Sequence, residues 1–302
     1  MTTASGARHR MTYVAETTWG TTPATPTLSA IRHNSATLAL QRGTLQSEEI
    51  RDDRMLVDFR LGQRSVAGDI VGELSDGSYD DFLQAALGGT WAADVLKAGV
   101  VRRSFTVERY FADITRYLRY RGCEVNTLAL TVSPEAICGI TFGMMGKDQD
   151  ATASTAIAGS TYPAAPTSSP YDGFSGAINE GGSAIAIVTE VSINLNNNLQ
   201  ANPVIGSISG LQATIGRSLI TGSLSAYFED EVMLNKFINE TSSSLSFTLG
   251  GSGSGMTFLL PKIKYTGGQP DTSGEGSIIL QMPFQALYDS TEATNIKITR
   301  NV

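Results

Sequence analysis

The stretch Arg64–Leu87, "RSVAGDIVGELSDGSYDDFLQAAL", decides how this chain is read, because the chain nearly repeats it at Arg217–Ile238, "RSLITGSLSAYFEDEVMLNKFI". Both copies open Arg-Ser and soon reach a glycine, Gly68 in one and Gly222 in the other. In the first copy Ile70, Gly72 and Leu74 alternate with Asp69, Val71 and Glu73, which is the period of a strand with one covered face. An acidic helix start follows. Asp80 and Asp81 fall in the first turn, where the helix dipole favours them, and Gly88-Gly89 ends the helix. The helix faces agree in type: Phe82, Leu83, Ala86 and Leu87 against Met233, Leu234, Phe237 and Ile238. The expectation is long strands over Gln63–Ser75 and Gly216–Phe228, with helices over Tyr79–Leu87 and Asp230–Ile238.

The echo extends outward from these cassettes. "TEVSINLNNNLQ" (Thr189–Gln200) matches "SATLALQRGTLQ" (Ser35–Gln46), and "SSLSFTL" matches "RRSFTVE". The pair "FLLPKIKYTGG" and "GSIILQMPFQALY" matches the hairpin "GCEVNTLALTVSPEAICGITFGMM". Weak identity with the same order of elements is what an old tandem duplication leaves. Four segments follow: an extended arm over 1–34, with two prolines in "TTPATPT" that disfavour helix; a first unit over 35–147; an Ala/Ser/Thr/Pro/Gly-rich linker or surface excursion over 148–182; and a second unit over 183–302. The fold class is mainly β, two tandem antiparallel β-sandwich or barrel units, each with one flanking short helix.

Composition narrows function. At 302 residues, 41% hydrophobic and 17% charged, the chain is globular rather than disordered. Its net charge is −7, with −2 in residues 1–150 and −5 in 151–302, so on average it repels polyanions. No apolar leader and no run of about 20 apolar residues is seen, so the expectation is a protein made and kept in a cytoplasm, or exported by a route the sequence does not show. The two cysteines, Cys123 and Cys138, flank a hairpin whose turn is Ser133–Ala136. With Cys138 placed opposite Thr131, they are roughly 25 Å apart, too far for a disulfide.

Chemistry is sparse. The only histidines, His9 and His33, lie in the arm, away from any predicted scaffold. "GSISG" and "GSGSG" miss the nucleophile elbow, and "GMMGKD" lacks the Ser/Thr and the distant Gly of a P-loop. No Cys or His pair has zinc spacing. No catalytic, metal or cofactor residue is assigned, and no cofactor or enzyme activity is expected. The acidic clusters "SEEIRDD" (Ser47–Asp53) and "FEDE" (Phe228–Glu231) read as a solvated loop and a helix start. In the first, Arg51 and Arg54 interleave with Glu48, Glu49, Asp52 and Asp53, which suits a polar docking contact between subunits. "VRRSFTVERYFADITRYLRYRG" (Val101–Gly122) interleaves six arginines with five aromatics. That pattern serves single-stranded nucleic acid or, with Glu108 and Asp113 diluting it, a protein interface.

Three strings carry a resemblance: "YVAETTWGTTPATP", "RDDRMLVDFRLGQRSVAGDIVGELSDGSYDDFLQAALGGTW" and "RGCEVNTLALTVSPEAICGITFGMMGKD". With them the chain resembles the tail tube proteins, or major tail proteins, of long-tailed, siphovirus-like bacteriophages. The resemblance is densest over Tyr13–Lys147. It implies two packed antiparallel sheets with a flanking helix, six such folds per ring, and rings stacked into a hollow tube with an acidic lumen for DNA delivery. It implies a virion protein assembled in the host bacterial cytoplasm. The implied partners are further copies of itself, a tape measure protein and transiting DNA in the lumen without specific binding, and terminator and distal tail proteins at the tube ends. If each chain holds two tube folds, three chains complete a pseudo-hexameric ring; six chains is the alternative if one half decorates the outside. Asp69, Glu73, Ser223 and Ser225 are the lumen-lining candidates. Glu48, Glu49, Arg51, Asp52, Asp53 and Arg54, with the arm, are the inter-ring candidates. The competing class is a β-sandwich adhesin or capsid decoration protein, which would show a closed small oligomer or monomer instead of rings.

Overall fold

A computed structural model describes residues 3–173, 177–251, 253–270, 272 and 274–301; residues 174–176 of the expected linker lie outside these. Half of the chain is strand and 6% is helix. The first half contains β1 (His9–Ala15), β2 (Ser29–Ala30), β3 (Ser35–Ala36), β4 (Ala39–Gln46), β5 (Phe59–Glu73), α1 (Asp80–Leu87), β6 (Val95–Lys97), β7 (Phe105–Phe111), β8 (Arg116–Val132), β9 (Gly139–Gly146) and β10 (Asp148–Gln149). The second contains β11 (Ala177–Glu180), β12 (Ser183–Ala184), β13 (Val188–Asn196), β14 (Gln200–Asn202), β15 (Leu211–Thr214), β16 (Leu219–Tyr227), α2 (Val232–Ile238), β17 (Ser243–Leu249), β18 (Gly255–Tyr265), β19 (Ile279–Ala286) and β20 (Lys297–Asn301).

Pairings repeat with the elements. In the first half β4 pairs β5, β5 pairs β9, β9 pairs β8, β8 pairs β7, β7 pairs β1 and β1 pairs β2. In the second half β13, β16, β19, β18, β17, β11 and β12 pair in the same succession. The irregularities repeat too. The β7–β8 register slips between Phe105 and Val107, and the β17–β18 register slips between Ser243 and Leu245. One strand in each half, β8 or β18, serves two sheets, its first part pairing β7 or β17 and its last part β9 or β19. The halves differ after the helix, where the first carries β6, which pairs with β20 of the second.

The core lies between the two sheets of each half. Alternation in β5 buries Val66 and Ile70, with Leu74 just past its end, and alternation in β16 buries Ile220, Leu224 and Ala226. Helix α1 closes one end of the first core. Its Phe82 ring meets Tyr13 at 4.7 Å, Phe105 at 5.0 Å and Phe142 at 5.4 Å, so one side chain links three strands. Burying such a ring is worth about 2–3 kcal/mol. Gly88 then stops the helix in the left-handed region, at φ 62. The second core stacks Phe247 on Phe258 at 5.1 Å.

Several expectations change. The helices begin later than expected, at Asp80 and Val232. Asp230 precedes α2 and accepts a hydrogen bond from the Val232 N–H instead of lying inside the helix. The matched helix faces part company at the end, since Leu87 is buried and Ile238 is 61% exposed. Residues 9–15 of the expected arm form a strand of the first unit, with Met11 and Tyr13 in the core. In the hairpin after β8 it is Gly139, not Cys138, that faces Thr131. Both cysteines are free and buried, and burial pushes the Cys138 thiol up to about 11.

The linker is a strap over the first unit. Ala153 bonds Tyr117 through the backbone, and Thr161 N–H donates to the Pro26 carbonyl. Tyr162 lies under the Arg10 guanidinium at 4.0 Å and donates its hydroxyl to buried Glu108 at 2.8 Å. Further on, Tyr171 N–H donates to the Leu74 carbonyl while the Tyr171 carbonyl accepts from Cys138 N–H.

Candidate assembly surfaces

The seam between the halves organises the surface. The last part of β8 pairs with β13, Val132 opposite Val191 and Leu130 opposite Ile193, continuing to Thr127 opposite Asn196. One sheet of eight strands therefore runs through the chain in the order β4, β5, β9, β8, β13, β16, β19, β18. Strand parity puts the core residues on one face and a polar set on the other. That second face carries Asp69 and Glu73 on β5, Thr127 and Thr131 on β8, and Ser223 and Ser225 on β16. Asp69 Oδ1 and Thr127 Oγ1 both border the space beside Gly143, so these three neighbouring strands present one continuous patch. Glu190 stands directly opposite Ser225, and Ser192 opposite Ser223. The four residues expected to share a wall thus lie on the same face of one sheet. Asp69 is exposed, while Glu73 is half-buried and accepts from Asn34 Nδ2 at 3.0 Å. This face carries the carboxylates Asp69, Glu73 and Glu190, with Lys264 at the far strand 3.8 Å from Glu240.

The second surface is the far end of the β4–β5 hairpin. Glu48, Glu49, Arg51, Asp52, Asp53 and Arg54 are all exposed there. Arg51 grips Asp53 with both Nε and Nη2, the shortest contact 2.6 Å, and Arg54 takes a left-handed φ of 60. The polar docking loop expected from the sequence also carries apolar side chains: Ile50 is 98% exposed and Met55 70%. Leu45, Leu56, Val57 and Phe59 are exposed with them, so one hairpin end gathers six exposed large apolar side chains, the kind of concentration that marks an interface. Alternation in this stretch reads as a half-buried strand, so the sequence alone hid that neither face is covered.

The counterpart loop in the second half, between β13 and β16, is already docked. Gln63 Nε2 donates to the Val204 carbonyl at 2.5 Å and the Ser207 carbonyl at 3.1 Å, and Arg64 N–H donates to the Ile208 carbonyl. Gln212 Nε2 reaches Glu124 at 2.5 Å.

The arginine-aromatic stretch is consumed internally. Arg119 pairs with fully buried Glu108 at 2.8 Å, Arg102 with Glu124 at 2.5 Å and Arg121 with Asp150 at 2.8 Å. Arg109 donates to the Leu38 carbonyl and to His9 Nε2, and Tyr110 stacks on Tyr117 at 4.4 Å. These groups hold the first unit and its strap together, while Arg116 stays exposed. The histidines, expected away from any scaffold, meet on it: His9 Nδ1 lies 2.8 Å from His33 Nε2. Burial, then the Arg109 charge and His33, lower the His9 pKa to about 4.

A mainly β chain with open sheet edges, one polar sheet face and an apolar hairpin tip has the surface of a self-associating structural protein. A family-wide sequence profile agrees: that of the phage tail tube proteins matches residues 6–286, and the chain belongs to that family. It is a structural component of the virion tail. No individual curated protein matches the chain.

Proposed function

We propose that the chain assembles into rings that stack as the hollow tail tube of a siphovirus-like phage, and that three chains make each ring. The observation that carries this reading is the eight-strand sheet, in which two halves with the same succession of pairings stand side by side through β8 and β13; we read them as a tandem duplicate placed as neighbours in a ring would be. At one end of this sheet β4 pairs only with β5 among the described residues, and closure of a ring removes such an edge. The polar face with Asp69, Glu73, Ser223 and Ser225 lines the lumen, where fixed negative charge keeps the DNA backbone from adsorbing. The hairpin tip over residues 47–58 contacts the next ring, its exposed apolar groups supplying most of the contact and Glu48, Glu49, Arg51, Asp52, Asp53 and Arg54 its polar rim. Assembly occurs in the host cytoplasm, around a tape measure protein, with terminator and distal tail proteins at the ends.

Negative-stain microscopy of the concentrated purified protein tests this. Rings or polytubes are expected. Monomers or a small closed oligomer under every condition would instead favour an adhesin or decoration protein.

A further inference from the structure

Strap residues 162–165 stand across from β1 and residues 30–33, and the cleft between them holds about 320 Å³. Its lining includes Arg10, Arg32, His9 and His33 and, among the described residues, no carboxylate. The chain as a whole carries a net charge of −7, so this cationic cleft runs against its surroundings. We propose that the cleft is a binding site for a small tetrahedral oxyanion of the phosphate class, gripped by the Arg10 guanidinium, and that the bound anion fastens the strap to the first unit. The site belongs to the single chain and does not depend on how chains assemble.

Arg10 carries the grip. Its guanidinium lies over the Tyr162 ring at 4.0 Å and the Tyr110 ring at 5.0 Å. These contacts hold the group in place but take up none of its five N–H donors. Among the described residues nothing accepts a hydrogen bond from it, and its Nε is buried without a partner. Buried charged donors are ordinarily paired, because an unmatched one costs stability. Thr12 stands two residues along the same face of β1, is 2% exposed, and has an unpartnered Oγ1 as well. The carboxylate that faces Thr12 across the strand pair is Glu108. Both of its oxygens are taken, one by Arg119 and the other by the Tyr162 hydroxyl. Arg10, Arg119 and Glu108 together therefore keep one positive charge in excess.

The cations around the cleft add to that excess. Arg32 donates to Ser75 Oγ at 2.9 Å and to the Ser168 carbonyl at 2.5 Å. Arg109 donates to the Leu38 carbonyl and to His9 Nε2. All four acceptors are neutral. The histidines form a single hydrogen-bond chain: Arg109 Nε donates to His9 Nε2, His9 Nδ1 to His33 Nε2, and His33 Nδ1 to the Ile31 carbonyl. That chain fixes both tautomers with both rings neutral. On the opposite wall the Ala164 and Ala165 N–H groups find no acceptor among the described residues. A tetrahedral anion can give two oxygens to the Arg10 fork and keep others for the strap, which a carboxylate with two oxygens cannot do.

Isothermal titration of inorganic phosphate into the unmodified chain, with ionic strength held constant by chloride, tests the site. Saturable binding of one phosphate per chain is expected, and weaker binding of acetate. Arg10→Gln should weaken phosphate binding by about tenfold or more, whereas Arg116→Gln, at an exposed arginine of the same unit, should leave it unchanged. No saturable binding, equal binding by Arg10→Gln, or acetate binding as tightly as phosphate would overturn the proposal. A short oligothymidylate offers phosphate groups from the other source, a nucleic-acid backbone. It should not displace phosphate from this acidic chain, and displacement would overturn a free anion as the ligand. Should Arg10→Gln fail to fold, protease mapping of the unmodified chain decides. Phosphate should slow cleavage within residues 150–170 where chloride at the same ionic strength does not; equal rates would overturn the fastening of the strap.

Discussion

A Cβ placed on Gly68 would stand 2.6 Å from the Cα of Leu38, because the chain just before β4 presses directly on β5 at that residue. The Gly68 φ of 145 adds a backbone conformation that side-chain-bearing residues avoid. Its counterpart Gly222 is equally confined, a Cβ there lying 2.2 Å from the Ser192 carbonyl oxygen. The glycine shared by the two cassettes is thus a contact requirement met twice. Gly68→Ala and Gly222→Ala should each cost about 1–3 kcal/mol. Gly43→Ala, with nothing within 4 Å, should be nearly neutral. Urea unfolding of the three variants checks this; equal midpoints would remove the shared constraint.

Glu108 is fully buried and satisfied by Arg119 and by the Tyr162 hydroxyl of the strap. Glu108→Ala leaves the largely covered Arg119 without its carboxylate and cuts one anchor of the strap. A loss of about 3 kcal/mol is expected, together with faster proteolysis within residues 150–170. Protease mapping of the variant by mass spectrometry reads the second effect.

His9 folds with its pKa lowered to about 4 from 6.5, held there by burial, Arg109 and His33. The unfolded chain therefore takes up the proton first. The contribution to stability is complete above pH 6.5 and is lost as pH falls toward 4. Thermal midpoints of the unmodified chain and of His9→Asn should converge across that window and differ most above it. Parallel curves from pH 7 to 4 would show that His9 does not carry the effect.

Reversing the sheet-face charge with Asp69→Lys and Glu73→Lys should leave the fold intact, since Asp69 is exposed and Glu73 makes one hydrogen bond on this face. Rings should form at the usual yield, while DNA delivery by phage carrying the variant falls. Unchanged infectivity at normal tail yield would move the lumen to another surface.

The sequence made the strands legible wherever one face is covered, as in β5 and β16, and the repeat made their order legible. It misplaced what depends on distant partners. The strand His9–Ala15 was masked by the proline-threonine run after it, although Met11 and Tyr13 alternate correctly. The strap hid its purpose because a few anchors, among them Tyr162 and Tyr171, fix some twenty small polar residues. The β8–β13 seam has no local signal at all, since Leu130 and Ile193 read as ordinary core residues until their strands are paired. The shared face of Asp69, Glu73, Ser223 and Ser225 was legible because period-two alternation assigns a face, whereas the exposure of Ile50 and Met55 became visible only in the structure.

The central claim is that one chain supplies two of the six units in a ring. Rotationally averaged electron microscopy of isolated rings, with native mass spectrometry of the same sample, counts chains directly. The account predicts three chains per ring and six-fold pseudo-symmetry. A ring of six chains, with the second unit outside the wall, would contradict it.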